Sequence, residues 1–99
     1  MLTPLTEDEI AAALKELPEW SVVDGRLSTT RKLPTFLDAL AWVQKVGLVA
    51  EDLNHHPDIT IKWKLVTVTC CTHDAHNQIT KFDTRLAEYG ACEYARRAG

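Results

Sequence analysis

The segment Asp58 to His73, DITIKWKLVTVTCCTH, alternates apolar and polar residues but changes phase midway. Ile59, Ile61 and Trp63 are apolar at odd positions, whereas Val66, Val68 and Cys70 are apolar at even ones. Successive side chains of a strand point to opposite faces, so an unbroken strand would put half of this set in water. The segment must therefore fold back on itself. The simplest break is a tight turn within Trp63 to Leu65, which yields two antiparallel strands. If Lys64 is the centre, His56 faces Thr72 and His55 lies near His73. The end of the preceding segment and the end of the last strand then meet at one edge of a sheet.

The rest of the chain supplies partners for this hairpin. Thr6 followed by Glu9 is a capping box, and Ile10, Ala13 and Leu14 form an apolar stripe behind it, predicting a helix from Glu7 to Leu17 that Pro18 stops. EWSVVDGRLSTTRK reads as a hairpin about Asp24-Gly25, because both residues tolerate positive φ. PTFLDALAWVQKVGLVAEDLN carries the strongest helical periodicity, with Phe36, Leu40, Val43, Val46 and Ala50 as the expected buried stripe and Pro34 in the first turn. The residue before a proline is pushed out of the helical region, so this helix ends before Pro57. Thr80 and Asp83 mark the cap of a final helix, with Phe82, Leu86 and Tyr89 on one face and Arg96 and Arg97 at its end. The expected architecture is α+β: a four-stranded antiparallel sheet with helices packed on one face, in the order α-β-β-α-β-β-α.

Composition narrows the class. A chain of 99 residues is one domain, residues 1–99, and buries only about 60–65% of its unfolded surface, so a partner subunit would help stabilise it. A net charge of −3 argues against a broad phosphate-binding surface and hence against direct nucleic-acid contact. No apolar run approaches the roughly 20 residues of a membrane span, and MLTPLTEDEI lacks the order of a signal peptide. Cys70 and Cys71, on opposite faces of a strand, cannot readily bond each other. With Cys92 they read as reduced thiols in a cytoplasmic protein.

The histidines carry the chemistry. Four are present, His55, His56, His73 and His76, and the fold-back gathers the first three. Pro57 holds His56 extended, so the adjacent imidazoles point in different directions. Three readings compete. The pair can be a solvated, helix-ending loop. It can belong to a metal site with Cys70 or Cys71, although no C-x-x-C or paired helical histidines support that. Or the imidazoles, which titrate near neutral pH, can exchange protons with a bound molecule, one as acid and another as base.

Glu51, His55-His56-Pro57, Trp63, His73 and Asp83 together resemble the signature of the pterin-4a-carbinolamine dehydratase family, with each spacing met. The likeness extends over nearly the whole chain, through Trp20, Arg31 and the THD that follows the last strand. It implies dehydration of 4a-hydroxytetrahydrobiopterin, or a related pterin, to quinonoid dihydropterin and water, without metal or organic cofactor. The departing hydroxyl needs a proton and a ring N–H must lose one, and each positioned acid or base contributes about 10²–10⁴-fold. By position, His55 and His73 correspond to the acid–base histidines and His56 to the one that orients the pterin. Glu51, Asn54, Pro57, Thr72 and Asp74 are the expected substrate-binding residues, with Thr72 and Asp74 presenting backbone groups. Asp83 is fully explained as a helix cap, Trp63 as turn and core packing, and His76 as surface. Family members often carry Asp where this chain has Asn54. The likeness also implies a homodimer or homotetramer, and its alternative is a coactivator-like dimerisation module on the same fold.

Overall fold

A computed structural model of the chain describes residues 3–72 and 78–88. Its elements run α1 (Glu7–Lys15), β1 (Ser21–Val23), β2 (Arg26–Lys32), α2 (Phe36–Leu53), β3 (Asp58–Lys62) and β4 (Leu65–Cys70). A last helix, α3, follows over 81–88 within the described residues. The order is the expected one. The four strands form one antiparallel sheet in the order β1-β2-β4-β3, which puts β2 and β4 at its centre.

Local chemistry explains most boundaries. Thr6 Oγ1 accepts from the Glu9 amide at 3.1 Å, and Glu9 Oε1 accepts from the Thr6 amide at 2.9 Å, so two otherwise orphaned donors of α1 are satisfied reciprocally. The helix ends two residues earlier than the sequence suggests, at Lys15. Asp24 and Gly25 both have positive φ, 52° and 76°, as the tight turn between β1 and β2 requires. Thr35, not Pro34, begins α2: its hydroxyl accepts from the Asp38 amide at 3.1 Å, leaving Pro34 outside the first turn.

The fold-back in Asp58–His73 is present, but one position tighter than expected. Lys62 faces Leu65, so the turn consists of Trp63 and Lys64 alone. Trp63 takes φ 55°, a left-handed value unusual for an aromatic residue. The expectation that Trp63 packs in the core is wrong: it is 71% exposed, with the Lys64 ammonium 4.4 Å from its ring centroid. The tighter turn shifts the paired register by one position.

The core lies between the sheet and the helices. Leu27, Val66, Val68 and Cys70 face Trp42, Val46 and Ala50 of α2 and Leu86 and Ala87 of α3. The buried side of α2 is Ala39, Trp42, Val46 and Ala50, rotated from the predicted stripe, while Phe36 and Leu40 stay partly in water. Nearly every turn of this helix carries apolar residues on more than one side, so spacing alone does not fix which side turns inward. Arg31 is buried beside Trp42, its guanidinium carbon 5.3 Å from the ring centroid and Nη1 3.3 Å from Glu19 Oε1. The opposite sheet face carries paired hydroxyls, Ser28 with Thr69 at 3.1 Å and Thr30 with Thr67 at 3.0 Å.

Candidate active site

The site begins where α2 stops. Asn54 takes φ 50° and ψ 44°, the left-handed conformation that ends many helices and that asparagine tolerates better than most residues. Its amide bonds back to Glu51 O at 3.1 Å, and the next amide, His55 N–H, reaches Ala50 O at 2.9 Å. This pair of bonds closes the helix and turns the chain sharply. Asn54, expected as a substrate contact, is therefore also the residue whose backbone aims the two histidines.

The adjacent imidazoles separate at once. His55 turns inward. Its Nε2 lies 2.5 Å from Asp83 Oδ1, with the Asp83 side chain fully buried and that of His55 11% exposed. The Phe82 ring packs against it, centroids 5.9 Å apart and planes tilted by 36°. His56 turns outward. Its Nε2 meets Glu51 Oε1 at 2.9 Å, and both side chains are mostly in solvent. Pro57, half-buried, leads directly into β3. His55 thus has Nε2 committed, and no described residue bonds its Nδ1.

Asp83 is the residue the sequence reading valued least correctly. Capping does not fully explain it. Oδ2 accepts from the Thr80 amide at 2.8 Å, which is the cap, but the same oxygen accepts from the Thr72 hydroxyl at 2.8 Å and Oδ1 holds His55. One buried carboxylate thereby joins the end of α2, the residue beyond β4 and the start of α3. A signal was available: an Asp in the helical signature lies one turn from Leu86 and Ala87, on the side of α3 that faces the core. A carboxylate buried there needs more donors than one cap supplies.

Thr72 sits at the end of the strand hairpin but does not offer its side chain outward. It is 3% exposed. Its amide donates to Gln78 O at 2.8 Å, and its hydroxyl contacts Asp83 and, at 2.6 Å, Thr80 Oγ1. Its visible work is to hold Asp83. His73, Asp74 and His76 fall outside the described residues, and so does the expected meeting of His55 with His73.

Cys70 and Cys71 are buried thiols. Burial, reinforced by the nearby Asp83 charge, pushes the Cys70 thiol far above its ordinary range, and its Sγ lies 3.9 Å from Asp83 O. Burial also raises the Cys71 thiol, against the pull of Arg26. In both, burial disfavours the reactive thiolate. Among the described residues no cluster of three His, Cys, Asp or Glu side chains is placed to hold a metal, and no helix is long and apolar enough to cross a membrane.

What the arrangement can do is proton transfer. A carboxylate holding one imidazole nitrogen leaves the other nitrogen as the group that meets a ligand, and it fixes the ring's orientation. Residues 3–90 match the family model described as pterin 4 alpha carbinolamine dehydratase. A Mycolicibacterium smegmatis protein, provisionally named as a pterin-4-alpha-carbinolamine dehydratase, is 44% identical over 85% of this chain and 88% of its own length. A Picosynechococcus protein with the same provisional name is 44% identical over 88% of this chain and 94% of its own. Among solved structures, a transcriptional coactivator/pterin dehydratase from Brucella melitensis superposes with a TM-score of 0.85 at 34% identity, covering 91% of this chain and 97% of the other.

Proposed function

The chain belongs to the pterin-4a-carbinolamine dehydratase family, and from that premise we propose that it dehydrates a pterin 4a-carbinolamine, such as 4a-hydroxytetrahydrobiopterin, by histidine acid–base catalysis in tetrahydropterin recycling. The observation that carries the reading is the buried Asp83 carboxylate on His55 Nε2. With that nitrogen committed, every proton His55 exchanges with a substrate passes through Nδ1. Protonated His55 gives its Nδ1 proton to the C4a hydroxyl, which leaves as water. A second imidazole, assigned to His73, accepts the ring N–H proton as the C=N bond forms. One proton is delivered and one removed, so the substrate loses only water, and solvent returns both histidines to their starting states.

His56 has a different task in this reading. Exposed and tethered to Glu51, it binds and orients the pterin at the rim, with Asn54, Pro57, Thr72 and Asp74 around it. No cofactor enters the scheme. The site works in the cytoplasm, in a homodimer or homotetramer.

The test mixes the purified protein with chemically prepared 4a-hydroxytetrahydropterin and follows loss of the carbinolamine by absorbance. Catalysis above the buffer rate that falls steeply in His55→Ala and in His73→Ala is expected. A folded protein that leaves the rate at the buffer value contradicts the reading.

A second reading rests on a separate surface. Leu37, Leu40 and Leu48 of α2 are 75%, 40% and 56% exposed, an apolar stripe of the kind a helix-pairing partner covers. A dimerisation module acting through protein contacts, without touching DNA, would use this stripe and have no need of the His55–Asp83 pair. Binding of a partner that survives His55→Ala but not Leu37→Glu identifies that role.

A further inference from the structure

We propose that Thr72 and Thr80 form a one-way hydrogen-bond relay that locks the Asp83 carboxylate in place against His55 Nε2, which makes both threonines positioning residues for the reaction. As a statement about catalysis this rests on the dehydratase reading. As a statement about His55 it stands on geometry alone.

The direction of the relay follows from valence. A carboxylate only accepts hydrogen bonds, so Thr72 must give its single hydroxyl proton to Asp83 Oδ2, 2.8 Å away. The Thr72 oxygen is then free only to accept. The contact between the two threonine hydroxyls, at 2.6 Å, must therefore run from Thr80 to Thr72. Thr80 has spent its own proton and accepts in turn from the Phe82 amide at 3.3 Å. The order is Phe82 N–H to Thr80 O–H to Thr72 O–H to Asp83. No member of the chain can reverse without leaving a donor or an acceptor empty.

The consequence reaches the imidazole. Oδ2 of Asp83 is engaged by the Thr72 hydroxyl and the Thr80 amide, and Oδ1 is left for His55. The carboxylate cannot rotate to exchange its oxygens without breaking both bonds to Oδ2. As an acceptor it requires a proton on His55 Nε2, so the neutral ring keeps its lone pair on Nδ1. Thr72, Thr80 and Asp83 are 3%, 1% and 0% exposed, so water cannot take the place of a missing hydroxyl. Local roles, a residue past the end of a strand and the cap of a helix, do not account for the hydroxyl-to-hydroxyl contact between them. Valine would fill either position with nearly the same shape and would end the relay.

Histidine ¹⁵N chemical shifts, recorded at a pH where the imidazoles are neutral, report which ring nitrogen carries the proton. In the intact protein His55 is expected as the Nε2–H tautomer, with the Thr72 hydroxyl proton exchanging slowly enough to be observed and showing a cross-peak to Thr80. In Thr72→Val the His55 Nε2 proton, which reports how firmly Oδ1 is held against the ring, changes its chemical shift and exchanges with water faster, and Thr72→Ser restores it. Where dehydration is measurable, Thr72→Val lowers kcat about 10–100-fold, the range for outer partners that orient a histidine, and moves KM by no more than about twofold. Thr80→Val has the same signature, more weakly. A His55 Nε2 proton unchanged in shift and exchange rate in Thr72→Val overturns the relay. So does a Thr72 hydroxyl in the unaltered protein that exchanges as fast as one in water, an outcome that needs no variant to fold. Absence of any dehydratase activity, with the change at the Nε2 proton still seen, removes the catalytic reading and leaves the relay standing.

Discussion

His55 and His56 are neighbours in sequence, and each meets a carboxylate through Nε2, yet the two pairs occupy opposite settings. The His55–Asp83 pair is nearly closed off from water, with its carboxylate bonded by two further groups, the Thr72 hydroxyl and the Thr80 amide; the His56–Glu51 pair lies open at the rim. The same two functional groups therefore have different physical meanings. Inside, removing one partner strands the other without solvent, which makes the geometry rigid and the pair expensive to disturb. Outside, water replaces either partner, so the contact is adjustable and weak. Proton transfer wants the first kind of histidine and substrate capture tolerates the second.

Asp83→Ala is expected to break the inner pair most severely. It strands the Thr72 hydroxyl, the Thr80 amide and His55 together, and should lower unfolding stability by about 3–5 kcal/mol in urea titration. Loss of less than 1 kcal/mol would mean the carboxylate is not the hub described. Next in size, His55→Ala leaves the buried carboxylate short of one donor and should destabilise by about 1–3 kcal/mol, whereas His56→Ala should shift stability by under about 0.5 kcal/mol. In turnover the same contrast reads as a fall in kcat for the first and a rise in KM for the second. Equal effects of the two substitutions, on stability and on kinetics, would erase the distinction between inside and rim.

The turn that separates the two rings gives the third prediction. Asn54→Ala forces a Cβ-bearing residue without a local polar side chain into the left-handed region, at about 1 kcal/mol, and Asn54→Gly should be close to neutral; differential scanning calorimetry distinguishes them. Cys70 gives a pH test of how closed the interior is. Its thiol is held protonated in the fold, above the ordinary value of 9.0, because burial opposes the thiolate. The unfolded chain releases this proton first as pH rises, so the contribution is complete below about pH 9 and is lost progressively above it. Cys70→Ala should flatten the alkaline limb of the stability profile; an unchanged limb would show that the thiol is not sheltered. Glu51→Gln should do least, under about 0.3 kcal/mol and less still in high salt.

The difference between the regions also explains what could be read in the sequence. The phase slip after Trp63, the capping box of Thr6 and Glu9, and the Asp24-Gly25 turn are local signals; the last two appear where expected and the first within one position. The buried side of α2 was misjudged because Phe36, Leu40 and Trp42 are all apolar, and only contact with the sheet decides which turns inward. Trp63 was expected both in the turn and packed on the core; it is in the turn, but a two-residue turn leaves its side chain exposed at the hairpin tip. Asp83 shows the deeper limit. A cap is visible from a spacing of three residues, whereas a second role, holding a histidine 28 positions away, depends on how α2, β4 and α3 pack together.

The most direct test of this division is a crystal structure of the protein with a bound dihydropterin. The account predicts the reacting edge of the ring within hydrogen-bonding distance of His55 Nδ1, with Nε2 still on Asp83 and His56 against the ligand's rim. A pterin bound elsewhere, or His55 released from Asp83 to meet it through Nε2, would contradict it.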